Sequence, residues 1–436
     1  MTPAARVAAA IALLDEVEAA PRRPADAIAA EFFRGRRYIG GGDRRNVSER
    51  AWGVIRQMIR LRWHVARAGG EASARQLVAA HLLLVEGYSP DGVVGQFPGG
   101  RFQATPLSEA ERAVLGRMAG QSLIHPEMPE GVRLNLPDWA LPGLRARFGE
   151  RLAEEAAAME TAAPLDLRAN LLKTTRDAAA TLLAAEGVRA APTPLSPWGL
   201  RAEARQPIGG TRAFQDGLVE VQDEGSQLIA LLADARPGHR VADYCAGAAG
   251  KSLAMAATMG NRGHLVACDV SAPRLEGAVR RMRRAGVQNA ERHLLEAGDK
   301  WRKRRARSFD RVLVDAPCTG TGTWRRNPDA RTRTTEQDLR ELRAKQAAIL
   351  DEASELVRPG GRLVYATCSL LPEEDEDQMT AFLDRHPDFT ALPLGTLWPG
   401  LRPDLPAPGE GPFLALSPAR HGTDGFFTAV LERRAA

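Results

Sequence analysis

Cysteine is scarce in this chain. Of 436 residues only Cys245, Cys268, Cys318 and Cys368 are cysteine, and none lies in the first half. They form no CxxC pair, so neither a disulfide framework nor a metal site is expected. Aromatic residues make up only 5% of the chain, and lysine is far outnumbered by arginine. No stretch stays apolar for the roughly 18 residues a membrane span requires. The opening "MTPAARVAAAIALLDEVEAA" meets Glu16 and Glu18 too early for a secretory signal. The expectation is a cytoplasmic monomer with no membrane partner.

What is present points to nucleic acid. The chain is 44% hydrophobic and 26% charged, ordinary for a globular protein, with a net charge of +5. Arginine's planar fork suits phosphates and stacks on bases, which makes RNA or DNA a candidate partner. The length implies two or three domains.

Residues 1–130 read as helices. Apolar residues recur at helical spacing in "ARVAAAIALLDEV", in "VSERAWGVIRQMIRLRWHVARA" and in "ARQLVAAHLLLVEGY". The second is expected to be one helix capped by Asn46 or Ser48, and its Arg56, Arg60, Arg62 and Arg67 form a candidate basic face for RNA. Residues 131–217 read as a small α/β module: strand candidate "PLDLRANLLKTT", helix "RDAAATLLAAEGV", then short extended pieces between prolines. Residues 218–436 alternate β-rich runs ("HRVADYC", "HLVACDV", "AERHLLEA", "FDRVLVDAP", "GRLVYATC") with helical segments and close on "DGFFTAVLERR". That alternation predicts a doubly wound, parallel sheet, whose ligands bind beyond the carboxyl ends of its strands. Asp243, Asp269, Asp315 and Cys368 fall at those ends.

The stretch "DYCAGAAGKS" could end a phosphate-binding P-loop, with "VLVDAP" as its magnesium-holding strand. A Walker loop needs glycine where this chain has Cys245. A nucleoside site instead needs an acid at the end of the next strand to accept ribose hydroxyls, and Asp269 stands there. The competing role for Asp269 is a helix cap. Between nucleoside cofactors, NAD needs a pyrophosphate bed, which "AGAAG" matches loosely. S-adenosylmethionine needs backbone approach, the ribose acid and an acid near adenine, a place open to Asp299.

Cys318 in "DAPCTGTG" and Cys368 in "YATCSL" follow strands expected to be neighbours, which would set two thiols over one pocket. Carbon 5 of a pyrimidine is not nucleophilic until a thiolate adds at carbon 6, so this pair suits its methylation. Cys268, inside a strand, reads as a small buried hydrophobe.

Together "DYCAGAAGKS", "ACDVSAPRL", "VLVDAPCTGTGTWRRNPD", "ATCSLLPEEDE" and "DGFFTAVLER" resemble the RsmB/Nop-type RNA 5-methylcytosine methyltransferases, most closely over 217–433. Residues 1–130 are similar, more loosely, to the NusB-like domain of bacterial ribosomal-RNA members. The resemblance implies a Rossmann-like class I methyltransferase domain, mostly parallel with an antiparallel last strand, after an all-α domain and a small α/β RNA-binding module. It implies Cys368 as nucleophile, Cys318 as the thiol that assists product release, and Asp315 near donor and target base. It implies S-adenosyl-L-methionine as cofactor, held by Cys245, Ala246, Gly247, Ala248, Ala249, Gly250 and Lys251 with Asp269, Arg274, Asp299 and Asp315. The family loop carries proline and glycine where this chain has Ala248 and Ala249. Ribosomal RNA is the implied substrate. Transfer RNA and a catalytically degenerate RNA-binding scaffold stand as alternatives.

Overall fold

The structure, a computed structural model, describes residues 1–435. Two compact units are present. The first comprises Met1–Arg145, Glu150–Glu160 and Arg326–Glu336; the second comprises Ala146–Gly149, Thr161–Arg325 and Gln337–Ala436.

The first unit is helical, with Leu13, Leu14, Phe32, Val54, Leu61, Leu77 and Leu82 in its core. Two expectations need correction here. The long second helix is two, Gly41–Arg56 and Met58–Arg67, because Gln57 leaves helical geometry (φ −105°, ψ 15°). Its side chain is drawn instead to Glu160 (3.1 Å) and Arg60 (2.8 Å). Asn46 and Ser48 are not caps: Gly40 holds the N-cap, and Asn46 bonds back to the Gly42 carbonyl from within the helix (3.0 Å).

The four arginines of the expected basic face are also internally engaged. Arg60, 5% exposed, pairs with Glu160 (2.7 Å) and donates to the Arg133 carbonyl. Arg56 donates to the Glu160 carbonyl (3.2 Å), Arg67 pairs with Glu127 (2.7 Å) and Arg62 lies 3.5 Å from Glu18. A buried guanidinium is tolerated only with such partners. Residues 326–336, expected in the last domain, pack into this unit. The helix Ala25–Gly35 starts at Pro24 with no side-chain cap, and Asp329 supplies the missing acceptor to the Ala25 N–H (3.1 Å).

The second unit holds two sheets. In the smaller, β1 (Asp166–Ala169), β2 (Ala190–Pro192), β3 (Gly199–Ala202) and β4 (Val219–Val221) pair antiparallel in the order β2-β3-β1-β4. The helix Arg176–Ala185 puts Ala179 and Leu183 into a core with Leu167 and Leu200. The larger sheet contains β5 (Arg240–Asp243), β6 (His264–Asp269), β7 (Ala290–Leu294), β8 (Phe309–Asp315), β9 (Val357–Thr367), β10 (Phe389–Ala391), β11 (Leu414–Leu416) and β12 (Phe426–Arg433). Its order is β10-β12-β9-β8-β5-β6-β7, with β11 against β12.

Strands β5 to β9 run parallel and β12 antiparallel, as the alternation of elements and the family resemblance predict. Strand order reverses between β5 and β8, and a crevice at such a switch point receives the ligand in doubly wound sheets. The small sheet is fastened to the helix Ala272–Ala285 that follows β6: Asn170 donates to the Ala285 carbonyl (2.8 Å), and Glu220 takes Arg281 and Arg284.

Candidate active site

The loop leaving β5 is shaped by two residues with positive φ, Gly247 (53°) and Ala249 (62°). Ala249 is the N-cap of the helix Gly250–Thr258 and is fully buried. A left-handed alanine costs about 1–2 kcal/mol, and burying its methyl group returns about 0.8 kcal/mol. The substitution therefore leaves the turn intact with little net change. Arg281 donates to the Ala248 carbonyl (2.8 Å), and the buried Arg168 donates to that of Gly250 (2.9 Å). Ala246 donates to the Cys268 carbonyl (2.8 Å), and Cys268 itself is wholly buried in β6.

Asp269, at the end of β6, accepts from the N–H groups of Gly247 and Ser271 (both 2.8 Å). It thus ties the β5 loop to β6 and turns the chain into the following helix. Each carboxylate oxygen keeps a second lone pair for a ligand hydroxyl. Arg274 stands exposed in that helix's first turn. Asp299, beyond β7, accepts from Trp301 N–H (2.7 Å) and His293 Nε2 (2.5 Å), and the Trp301 N–H bond first, then the histidine, holds its carboxyl below the usual range. His293 stacks on Trp301 at 4.6 Å between ring centres.

Lys251 decides between the two readings of the loop. Burial alone would depress its pKa, but Asp315 at the end of β8 accepts from Nζ at 2.6 Å and lifts it, with further help from Asp243 and Cys368. A lysine neutralised by the neighbouring strand's acid is not a phosphate-binding P-loop lysine. Asp243 is buried, bonded by Ser252 Oγ (2.6 Å), and burial pushes its carboxyl up to about 7. Cys245 is also pushed upward, by burial and then by Asp315, Asp243 and Asp269, so it stays a thiol.

The remaining pair of cysteines meets. Cys318 Sγ and Cys368 Sγ lie 3.4 Å apart, one past each end of the neighbouring parallel strands β8 and β9. The hydrogen bond with Cys368, then burial, raises the Cys318 pKa well above its ordinary value, so Cys318 holds its proton. Arg325, a sequence candidate for stabilising a thiolate, is committed elsewhere: it bonds Asp424 (2.5 Å) and the Gly422 carbonyl (3.1 Å) and lies 3.6 Å from Asp223.

Residues that sequence reasoning missed hold the two cysteine loops together. Buried Glu374 accepts from Thr319 N–H (2.9 Å) and Oγ1 (2.5 Å) and from Gln346 Nε2 (2.9 Å). Thr321 and Ser369 bond at 3.2 Å, and Asp375 accepts from Thr367 (2.6 Å) and Arg147 (2.8 Å). Gly322 and Gly425 pass so close that a Cβ on Gly322 would fall 2.4 Å from the Gly425 carbonyl oxygen. None of these carries a periodic signal; "PEEDE" reads as a solvated acidic run until the fold buries its middle.

A doubly wound sheet with an acid-anchored loop at its switch point and two thiols at the ends of adjacent strands has the architecture of a Rossmann-like methyltransferase. Residues 230–432 match the 16S rRNA methyltransferase RsmB/F family, and residues 136–209 match the RsmF/B-like ferredoxin-like domain. The ribosomal RNA small subunit methyltransferase B of Erwinia tasmaniensis is 30% identical over 416 residues, covering 91% of this chain and 92% of that protein. This chain belongs to the RsmB/F family. Among solved structures, PH0851 superposes over 99% of both chains (TM-score 0.76, 23% identity). A methyltransferase homolog from Pyrococcus horikoshii covers 70% of this chain and 97% of its own (TM-score 0.59, 29% identity).

Proposed function

We propose that this protein methylates carbon 5 of a cytosine in small-subunit ribosomal RNA through a covalent Cys368–cytosine intermediate. The observation that carries this reading is the 3.4 Å contact between Cys318 and Cys368 at the ends of adjacent strands. S-adenosyl-L-methionine supplies an electrophilic methyl group. The residues fit a cofactor without phosphate, because the one buried lysine of the loop is already neutralised by Asp315. Cys245 to Lys251 would hold its methionine end, Asp269 would accept ribose hydroxyls, Asp299 would serve the adenine, and Arg274 would help to hold it.

Cys368, as thiolate, adds to carbon 6 and drives an electron pair to carbon 5, which becomes the nucleophile for the methyl group. Loss of the carbon-5 proton to a base restores the 5,6 double bond and expels the thiolate, and the Cys318 thiol assists that departure. Attack requires the thiolate form of Cys368. The target base must leave its stack for both ring faces to be reached.

Three assays test the reading. Calorimetry should give heat on adding S-adenosylmethionine; none would favour a scaffold without catalysis. Tritiated methyl groups should enter small-subunit ribosomal RNA, and transfer into transfer RNA instead would change the substrate. Bisulfite sequencing of ribosomal RNA from a deletion strain should show one protected cytosine lost.

Asp269→Ala should weaken S-adenosylmethionine binding by about 10- to 100-fold, since a charged acceptor and the tie to Gly247 both go. RNA affinity should stay at the parent value. Equal cofactor affinity in the two proteins would reduce Asp269 to a helix cap.

A further inference from the structure

Each arginine of the helical unit's expected basic face has a partner within the unit, but another stretch keeps cations without one among the described residues. Residues 34–45, "RGRRYIGGGDRR", contain five arginines and a single acid. That acid, Asp43, is already occupied by the N-terminal amine (2.9 Å) and Arg6 (2.7 Å). Arg36 and Arg44 brace the turn: Arg36 lies over the Phe32 ring (3.8 Å) and pairs with Glu16 (2.9 Å), and Arg44 donates to the Ile39 carbonyl (2.8 Å). Ile39 is fully buried and anchors the turn from below.

Arg37 and Arg45 are exposed and make no hydrogen bond or ion pair among the described residues, and between them Tyr38 is 73% exposed. Gly40, Gly41 and Gly42 follow, with open space where each side chain would be.

We propose that this turn is a contact for single-stranded RNA, with Tyr38 stacking on a base while Arg37 and Arg45 meet phosphates. The inference rests on the RNA reading above. A largely exposed aromatic ring, flanked by cations without partners among the described residues on a braced turn, has the composition of a base-stacking platform. The nearby apolar residues Phe32, Ile39 and Val47 are all buried, so the surface lacks the apolar centre a protein partner would need. Because Tyr38, Arg37 and Arg45 support no part of the fold, their replacement should leave thermal stability unchanged.

The test uses the full-length protein, a fluorescent single-stranded RNA of mixed sequence and the matching duplex, followed by anisotropy across a salt series. Tyr38→Ala should weaken single-strand binding about tenfold while Tyr38→Phe does not. The double variant Arg37→Ala/Arg45→Ala should lower the slope of log affinity against log salt by about one to two. Parent-like affinity and slope in these variants would overturn the proposal. So would normal binding to free RNA with lost binding to assembled small ribosomal subunits, which would make the turn a protein contact. Methyl transfer by the parent protein, measured alongside, separates the outcomes: activity with indifferent variants sinks only this contact, and variants that lose RNA beside an inactive parent sink only the catalytic reading.

Discussion

Cys368→Ala should give neither methylated RNA nor a covalent complex, whereas Cys318→Ala should accumulate a protein–RNA species that survives denaturing electrophoresis. The first variant loses the atom that adds to carbon 6, and removing an attacking nucleophile costs on the order of a thousandfold or more in rate. The second keeps that atom. It lacks the thiol held 3.4 Å away. Attack and methyl transfer then proceed while elimination stalls. The two sulfurs look alike in sequence; the bond to Cys368 and burial raise the Cys318 pKa well above its ordinary value. A thiol that keeps its proton suits release better than attack. The measurement is a denaturing gel of each single variant incubated with RNA and S-adenosylmethionine. A stable adduct with Cys368→Ala and none with Cys318→Ala would reverse the roles, and full activity in both would remove covalent catalysis from the mechanism.

A large effect on stability is expected at Asp243. Burial, only partly opposed by the Ser252 hydrogen bond, pushes its carboxyl up to about 7 in the folded protein. In the unfolded chain it titrates near its ordinary value of 3.8. From about pH 4 to pH 7 the folded state therefore binds more protons than the unfolded one, so this group's contribution falls as pH rises through that window and levels off above it. At about 1.4 kcal/mol per pKa unit, the swing is about 4 kcal/mol. Asp243→Asn keeps an oxygen for Ser252 and removes the titration. Thermal unfolding from pH 4.5 to 8 should show the variant gaining on its parent as pH rises, most clearly at pH 7 and above (about 4 kcal/mol at the upper end). Glu374 is raised by burial in the same direction, but it is common to both proteins and cancels in the comparison. A constant difference across the series would show that Asp243 is not titrating in this range.

Much of the catalytic unit is legible in the sequence because its signals are local. Alternating β-rich and helical runs specify parallel strands with crossover helices, and the turn after each strand lies at one edge of the sheet. Asp243, Asp269, Asp315, Cys318 and Cys368 follow from position in their own segments. Charge pairing is different, because it depends on which distant segment arrives alongside. Arg60 reads as a solvated helix face until Glu160 meets it, and Arg325 reads as a thiolate's neighbour until Asp424 claims it. Asp329 reads as part of the methyltransferase motifs until an uncapped helix N-terminus at Ala25 takes it. Burial raises the energetic stake of each pairing and leaves no trace in local periodicity. The sequence by itself therefore determined the sheet, its ligand edge and the chemistry gathered there. Tertiary structure alone decided which charges are spent on holding the fold and which, like Arg37 and Arg45, are left for a partner.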